Sequence, residues 1–194
     1  MIMAAGASSR FDGCKLLADI NGGPMLQHVI SQVKGLVEDT FVVSGAWEQS
    51  LSMARERGAL GDVTLIYSQL WRQGLGHSIA AGVAELASLY DGILVLLGDQ
   101  VAVSADDIQK LLANFAGKDI ACAYYAGKRG VPAVFGRRCF DQLRRLSGDQ
   151  GAKGVLYNPE LRVATCDMPA AAIDIDTEAE LSRWLARSSR LPGL

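Results

Sequence analysis

The chain has 194 residues, 49% of them hydrophobic, which is enough to bury a sizeable core within one domain. With 19 basic and 21 acidic residues the net charge is −2, without the basic excess of a nucleic-acid binder, so an anionic ligand has to be met by local cations and backbone N–H groups. Four cysteines without a CxxC pair read as buried or incidental thiols rather than a disulfide or metal framework, and only two histidines exclude a His-rich metal centre.

Met1–Met3 read as a short first strand running into the loop "AAGASSRFDGCK". Pro24 opens a helix to about Leu36, with Leu26, Val29, Ile30 and Val33 at helical spacing. Thr40–Gly45 is β-branched and ends on a turn residue, so it reads as a strand. Gln49–Ala59 and His77–Leu89 read as helices, with the strand Val63–Ser68 between them. Gly92–Asp99 is nearly all aliphatic, as a central parallel strand is. Ser104 is a suitable N-cap for a helix over Ala105–Phe115. This alternation predicts an α/β chain of βαβ units on a parallel sheet. The second half changes character. Asp119–Gly127 and Lys128–Gly136 read as two strands around a Gly-Lys-Arg-Gly turn, an antiparallel addition. Arg137–Leu146 and Gly151–Tyr157 read as helices, and Thr177 caps a last helix, Glu178–Ser188, before a frayed tail over Ser188–Leu194. No repeat or linker divides residues 1–194. The chain has no 18-residue apolar run and no secretory pattern at its start, so a cytoplasmic protein without a membrane partner is expected.

Ligands of open α/β sheets bind at the carboxyl ends of strands, where the loop after the first strand lies. Its glycines admit close approach, and successive N–H groups can form an anion nest. It is not a P-loop, because Gly6 and Gly13 are seven apart and Lys15 is followed by Leu16. The dinucleotide pattern GxGxxG also fails: its nearest match, Gly74–Ile79, has Ile79 at the third glycine. From the residues alone, Arg10 and Lys15 are either phosphate-neutralising cations or solvated charges on a glycine turn.

Asp99 ends the aliphatic strand, pointing a carboxylate into the crevice, where it needs a cation; a turn after Gly98 is the other reading. Asp174 and Asp176 alternate with Ile173 and Ile175, which puts both carboxylates on one side of an extended segment. A solvent-facing strand gives the same pattern. An oxygen-only donor set suits Mg²⁺ rather than zinc. Trp47, Trp71 and Trp184 read as packing residues. His77 is either a ligand donor or the first turn of a helix.

The stretch Met3–Lys15 resembles the loop LAAGxSxRMGxxK: Ala4, Ala5, Gly6, Ser8, Arg10 and Lys15 fall on it, Met3, Phe11 and Asp12 depart from it, and Gly13 stands one place past its last glycine. "LLGDQ" resembles LxGDQP, "DIDT" resembles DIDTPED, "GLGHSIAAGV" resembles GMGxSLxxG, "RGVPAVF" resembles RGHPVLF and "GDQGAKGVL" resembles GDxGARxLL. All appear in order from residue 3 to about residue 181. The set resembles that of the molybdenum cofactor cytidylyltransferases, a molybdopterin-nucleotidyltransferase-like branch of the nucleotide-diphospho-sugar transferase superfamily.

The resemblance implies a three-layer, Rossmann-like nucleotidyltransferase fold, its mostly parallel sheet carrying the antiparallel addition. Residues 1–100 would form the nucleotide-binding half and residues 101–190 the acceptor-binding half. It implies transfer of CMP from CTP to the phosphate of a molybdopterin-type cofactor, with pyrophosphate leaving. Arg10 and Lys15 would neutralise phosphate charge. Asp99 and Asp174 would hold Mg²⁺, with Mn²⁺ as the alternative ion, and Asp176 would be a further ligand or orient the first. Ala4, Ala5, Gly6 and Ser8 would receive the nucleotide, with Gly76 and Ser78 at the edge of the base, and Ala5 favours CTP. Gly130, Pro132, Asp149 and Lys153 would receive the pterin. A molybdenum hydroxylase apoenzyme or its chaperone would be the partner. The alternatives are a guanylyltransferase using GTP, a sugar-phosphate nucleotidyltransferase and a non-catalytic cofactor carrier.

Overall fold

In the computed structural model, which describes residues 1–188, three residues suffice for β1 (Ile2–Ala4) because strands pair with it on both sides. The glycine-rich loop ends in a 3₁₀ turn, Lys15–Leu17, that buries Leu16. A small antiparallel hairpin comes next, β2 (Asp19–Ile20) and β3 (Gly23–Pro24). Pro24, at φ −58°, is the N-cap of α1 (Met25–Val33), which buries the predicted Leu26, Val29, Ile30 and Val33. Then come β4 (Phe41–Ser44), α2 (Glu48–Glu56), β5 (Thr64–Tyr67), α3 (Leu75–Leu86) and β6 (Gly92–Leu97). Ser104 and Asp107 form a capping box at the start of α4 (Ala105–Asn114). The second half contains β7 (Ile120–Tyr125), β8 (Lys128–Gly136), α5 (Phe140–Leu143), α6 (Lys153–Leu156), β9 (Val163–Asp167) and α7 (Glu178–Ser188).

The main sheet runs β5-β4-β1-β6-β8-β7-β9. Every neighbouring pair is parallel except the two made by β8, which is antiparallel to both β6 and β7. The predicted parallel sheet with an antiparallel addition is therefore the observed one. Side chains alternate across it, as the pleat requires. Ile93 and Val95 of β6 join Ile79 and Val83 of α3 on one face, while Leu94 and Leu96 join Leu26 and Val29 of α1 on the other. Helices cover both faces, which gives three layers. No helix among the described residues is long and apolar enough to cross a membrane.

Three expectations change. β9 has no counterpart in the sequence reading, because this edge strand is only partly buried and lacks an aliphatic run. The helix expected over Arg137–Leu146 is a 3₁₀ turn, Arg137–Cys139, leading into α5, and that over Gly151–Tyr157 contracts to α6. Residues 173–176 are not a strand: Ile175 is 1% exposed but Ile173 is 43% exposed, so the two do not share a buried side. The frayed tail expected beyond Ser188 lies outside the described residues.

Candidate active site

The sheet gathers the carboxyl ends of β1 and β6 side by side, and the site is built on the loops that leave them. After Ala4 the chain folds into the glycine-rich loop, with Ser8 at φ +54° and Gly13 at φ +88°, both in the left-handed region. The loop is tied down from the β4 side. Ala46 N–H donates to the Ala5 carbonyl at 3.1 Å, and Trp47 Nε1–H donates to the Ala7 carbonyl at 3.1 Å. Trp47 thus packs and also anchors the loop. Buried Leu16 holds the backbone next to Lys15.

Gly98 follows directly on the neighbouring strand β6, where a Cβ would press on Leu16, the Met3 carbonyl and Leu26 at 3.1–3.3 Å. Next comes Asp99, then Gln100, which is buried. Gln100 accepts from Leu97 N–H at 3.2 Å and donates to the Val131 and Ala171 carbonyls at 2.9 and 3.1 Å. It locks the end of β6 to β8 and to the turn that leads towards Asp176. Sequence reasoning gave this glutamine no role, although it stands inside the quoted "LLGDQ". Glu180 is the second missed positioning residue. Its carboxylate accepts from the N–H groups of Asp176 and Thr177, both at 2.9 Å, while Thr177 Oγ1 accepts from Glu180 N–H at 3.2 Å. The signal was the Thr-x-x-Glu spacing of a capping box.

These supports converge on four charges. Lys15 Nζ donates to Asp99 Oδ2 at 2.6 Å and to Asp176 Oδ1 at 2.8 Å, and Arg10 Nη2 donates to Asp176 Oδ2 at 2.6 Å. The Lys15 and Asp99 side chains are only 13% and 16% exposed. Burial alone would lower the Lys15 pKa, but the Asp99 and Asp176 carboxylates outweigh it and raise it. The hydrogen bond from Lys15, with its charge and that of Arg10, lowers the Asp176 pKa. All four residues line a cleft of about 230 Å³, with Ala4, Gly6 and Ser8 on its loop side and Leu75 opposite.

Asp99 Oδ1 is buried and has no hydrogen-bond partner. An orphaned carboxylate oxygen beside a second carboxylate fits a hard divalent cation. Among the described residues no three His, Cys, Asp or Glu side chains cluster as a metal set. The cleft offers two carboxylates, Asp99 and Asp176, and one or two is the usual protein share for Mg²⁺ held together with phosphates and water.

The remaining predicted residues fall elsewhere. Ala5 is buried behind the loop. Gly76 and Ser78 do not line the cleft: Gly76 donates to the Gly148 carbonyl at 2.8 Å, and buried Ser78 pairs its hydroxyl with Ser68 at 3.1 Å. Asp174 is not among the residues that line the cleft. The extended alternation that was to align it with Asp176 is not formed, and Asp174 lies with Ile173, Arg183 and Trp184 in a separate depression of about 190 Å³ beside α7. Gly130 is in β8 beside Tyr125, where a Cβ would meet the phenol oxygen at 2.4 Å, and Pro132 is buried two residues on. Asp149 and Lys153 are exposed, on the stretch whose Gly148 N–H lies 3.2 Å from His77 Nδ1. His77 is in α3, beside that stretch and outside the cleft lining.

Residues 1–163 match the MobA-like NTP transferase domain. PucB of Bacillus subtilis (strain 168), named a purine catabolism protein, is 34% identical over 112 residues, which is 56% of this chain and 54% of PucB. The chain thus spans about half the length of this relative. The solved homologue of Mycobacterium tuberculosis Rv0371c from Mycobacterium sp. strain JC1 gives a TM-score of 0.80 at 25% identity, over 97% of this chain and 95% of that one. Rv0371c from M. tuberculosis H37Rv, solved in complex with manganese, gives 0.73 at 22% identity, over 95% and 96%. The extent of the domain match shows that the chain belongs to the MobA-like NTP transferase domain family.

Proposed function

We propose that this chain is a nucleotidyltransferase that moves CMP from CTP to the terminal phosphate of a molybdopterin-type cofactor. A phosphate oxygen of the acceptor attacks the α-phosphorus of CTP. The bond from that phosphorus to the bridging oxygen breaks, its electron pair stays on that oxygen, and pyrophosphate leaves. One observation carries the reading: two cations of a glycine-rich loop and two carboxylates meet in one cleft at the carboxyl ends of β1 and β6. Phosphoryl chemistry needs mainly positioning and charge stabilisation, and these groups supply both.

Backbone N–H groups of the loop would receive the triphosphate, and Arg10 and Lys15 would neutralise its charge. Asp99 would hold Mg²⁺, or Mn²⁺ as the alternative. When bound, the ion would neutralise charge at the reacting phosphates. We assign Asp176 as the second carboxylate, because it shares Lys15 with Asp99. Asp174, given that role from the sequence, moves to the acceptor side, near Tyr125. Residues 1–100 would serve the nucleotide and residues 101–190 the acceptor, through Gly130, Pro132, Asp149 and Lys153.

The Ala4-Ala5-Gly6 stretch favours CTP. The RGVPAVF and GDQGAK segments favour a molybdopterin acceptor, and the purine-catabolism name of PucB suits delivery to a molybdenum hydroxylase apoenzyme or its chaperone. Four free thiols suit a cytoplasmic setting.

The test supplies the purified protein with molybdopterin cofactor, Mg²⁺ and either CTP or GTP, and measures pyrophosphate release beside an Asp99→Ala control. Release with CTP that vanishes in the control is the expected result. Release with GTP alone would make the protein a guanylyltransferase. Silence with both nucleotides, then turnover of a sugar phosphate, would move the acceptor; silence with every acceptor would leave a cofactor carrier.

A further inference from the structure

The four charges of the cleft form a closed set. Arg10 and Lys15 carry two positive charges, Asp99 and Asp176 carry two negative ones, and the pairings within the set balance them. The Lys15 ammonium stands between one oxygen of each carboxylate, at 2.6 and 2.8 Å. A divalent cation held by both carboxylates needs an Asp176 oxygen, and both of these are taken, by Lys15 and Arg10; an ammonium left on the coordinated oxygens would be repelled by the divalent charge beside it. The oxygen left over, Asp99 Oδ1, belongs to one carboxylate only.

Resting on the reading of Asp99 and Asp176 as a cation site, we propose that Lys15 is the resident occupant of that site, so the divalent cation and the triphosphate bind as a coupled pair. The backbone of Lys15 is fixed by its 3₁₀ turn and by buried Leu16, so only its flexible four-carbon stem can move. If a cation displaces Lys15 in the absence of nucleotide, a half-buried ammonium is stranded beside a divalent charge, which is costly. A triphosphate offers Lys15 and Arg10 new anionic partners on the same cleft wall. The exchange then conserves ion pairs: carboxylates pass to the metal, and the ammonium and guanidinium pass to phosphate. By linkage the coupling is reciprocal, each ligand strengthening the other by the same factor. Arg10 belongs to the set less tightly, because its side chain is 68% exposed.

The test reads metal binding without turnover. Free Mn²⁺ is titrated by electron paramagnetic resonance into the wild-type protein and into Lys15→Met, with no nucleotide present. The variant is expected to bind Mn²⁺ about tenfold more tightly or better, the equivalent of about 1.4 kcal/mol. Adding Asp176→Asn to Lys15→Met is expected to remove the gain. Equal or weaker binding by Lys15→Met overturns this proposal alone. Binding by neither protein overturns both the proposal and the cation-site reading beneath it. A second measurement needs no variant. Wild-type protein is acetylated with acetic anhydride at rising Mg²⁺, and peptide mass spectrometry compares Lys15 with exposed Lys34 and Lys118. Lys15 is expected to be protected without Mg²⁺ and to react several-fold faster at saturation. A Lys15 rate that tracks the two controls throughout also overturns the proposal.

Discussion

Asp119 and the Asp99–Asp176 pair both hold two cations, at different ends of the molecule and to different effect. Asp119, 4% exposed, stands just before β7. Its carboxylate accepts from Arg162 N–H at 2.9 Å, from Arg162 Nε and Nη2 at 3.2 Å, and from Arg138 Nη1 at 3.2 Å. Both oxygens are satisfied, and the result is a staple joining β7 to the approach of β9 and to the turn before α5. Asp99 and Asp176 share Lys15, and Asp176 also takes Arg10, yet Asp99, a residue of the cleft lining, leaves a buried oxygen without a partner. Ion pairing alone therefore does not separate a site from a staple. An unsatisfied atom on a residue that lines a cleft does.

The largest expected effects break the site and spare the fold. Asp99→Asn removes a ligand and a partner of Lys15, and pyrophosphate release is expected to fall by about 10²–10³-fold. The melting temperature should move by no more than a few degrees, because Asp176 still holds Lys15. Asp176→Asn is expected to cost about 10²-fold. Asp174→Asn is expected to leave the rate within a few-fold of wild type. A loss at Asp174 as large as that at Asp176 would return the second carboxylate role to the position the sequence favoured.

Asp174 and Asp176 also show where the sequence was legible and where it was not. The strands over 40–45, 63–68 and 92–99 declare themselves by aliphatic and β-branched runs, which are buried on both faces in β4 and β6 and survive in β5 although that edge strand is only partly buried. The meeting of Arg10, Lys15 and Asp99 in one cleft was readable too, since both cations stand on the loop that leaves β1 and Asp99 is two residues past β6. Asp176 is fixed from farther away. Gln100 holds the Ala171 turn, Glu180 holds the Asp176 backbone, and residues 173–176 form no strand whose alternation could set where Asp174 and Asp176 lie. β9 was hidden for a related reason: its place comes from pairing with β7, not from its own residues. Gly76 matched a motif, and its packing against Ser147 and Gly148, 71 and 72 residues on, was not legible from that motif.

The smaller effect sharpens the other half of the comparison. Asp119→Asn strands two guanidinium groups beside a neutral side chain and removes most of the staple. Urea or thermal unfolding is expected to show a clear loss, several degrees in melting temperature. Turnover per folded molecule should not change, since Asp119 does not line the cleft. An equal loss of turnover in folded Asp119→Asn would mean that the staple supports the site after all.

The smallest effect distinguishes the two sets by pH. Hydrogen bonds from the Arg162 side chain and backbone hold the Asp119 carboxyl well below the usual carboxylate range. The folded state therefore gives up this proton at lower pH than the unfolded chain does. Below the ordinary Asp value of about 3.9 the unfolded chain binds more protons, so the staple's contribution is complete above that value and is lost as pH falls through the depressed one. Asp176 is lowered in the same direction, but it is a quarter exposed, so solvent screens its contribution. The urea midpoint of the wild-type protein is expected to drop below about pH 4, while that of Asp119→Asn, lower at neutral pH, declines less steeply. The two curves should converge towards acid, and Asp176→Asn should stay nearly parallel to wild type. Convergence by Asp176→Asn instead would place the acid-sensitive ion pair in the cleft. The site would then share with the staple the structural burden that its orphaned oxygen argues against.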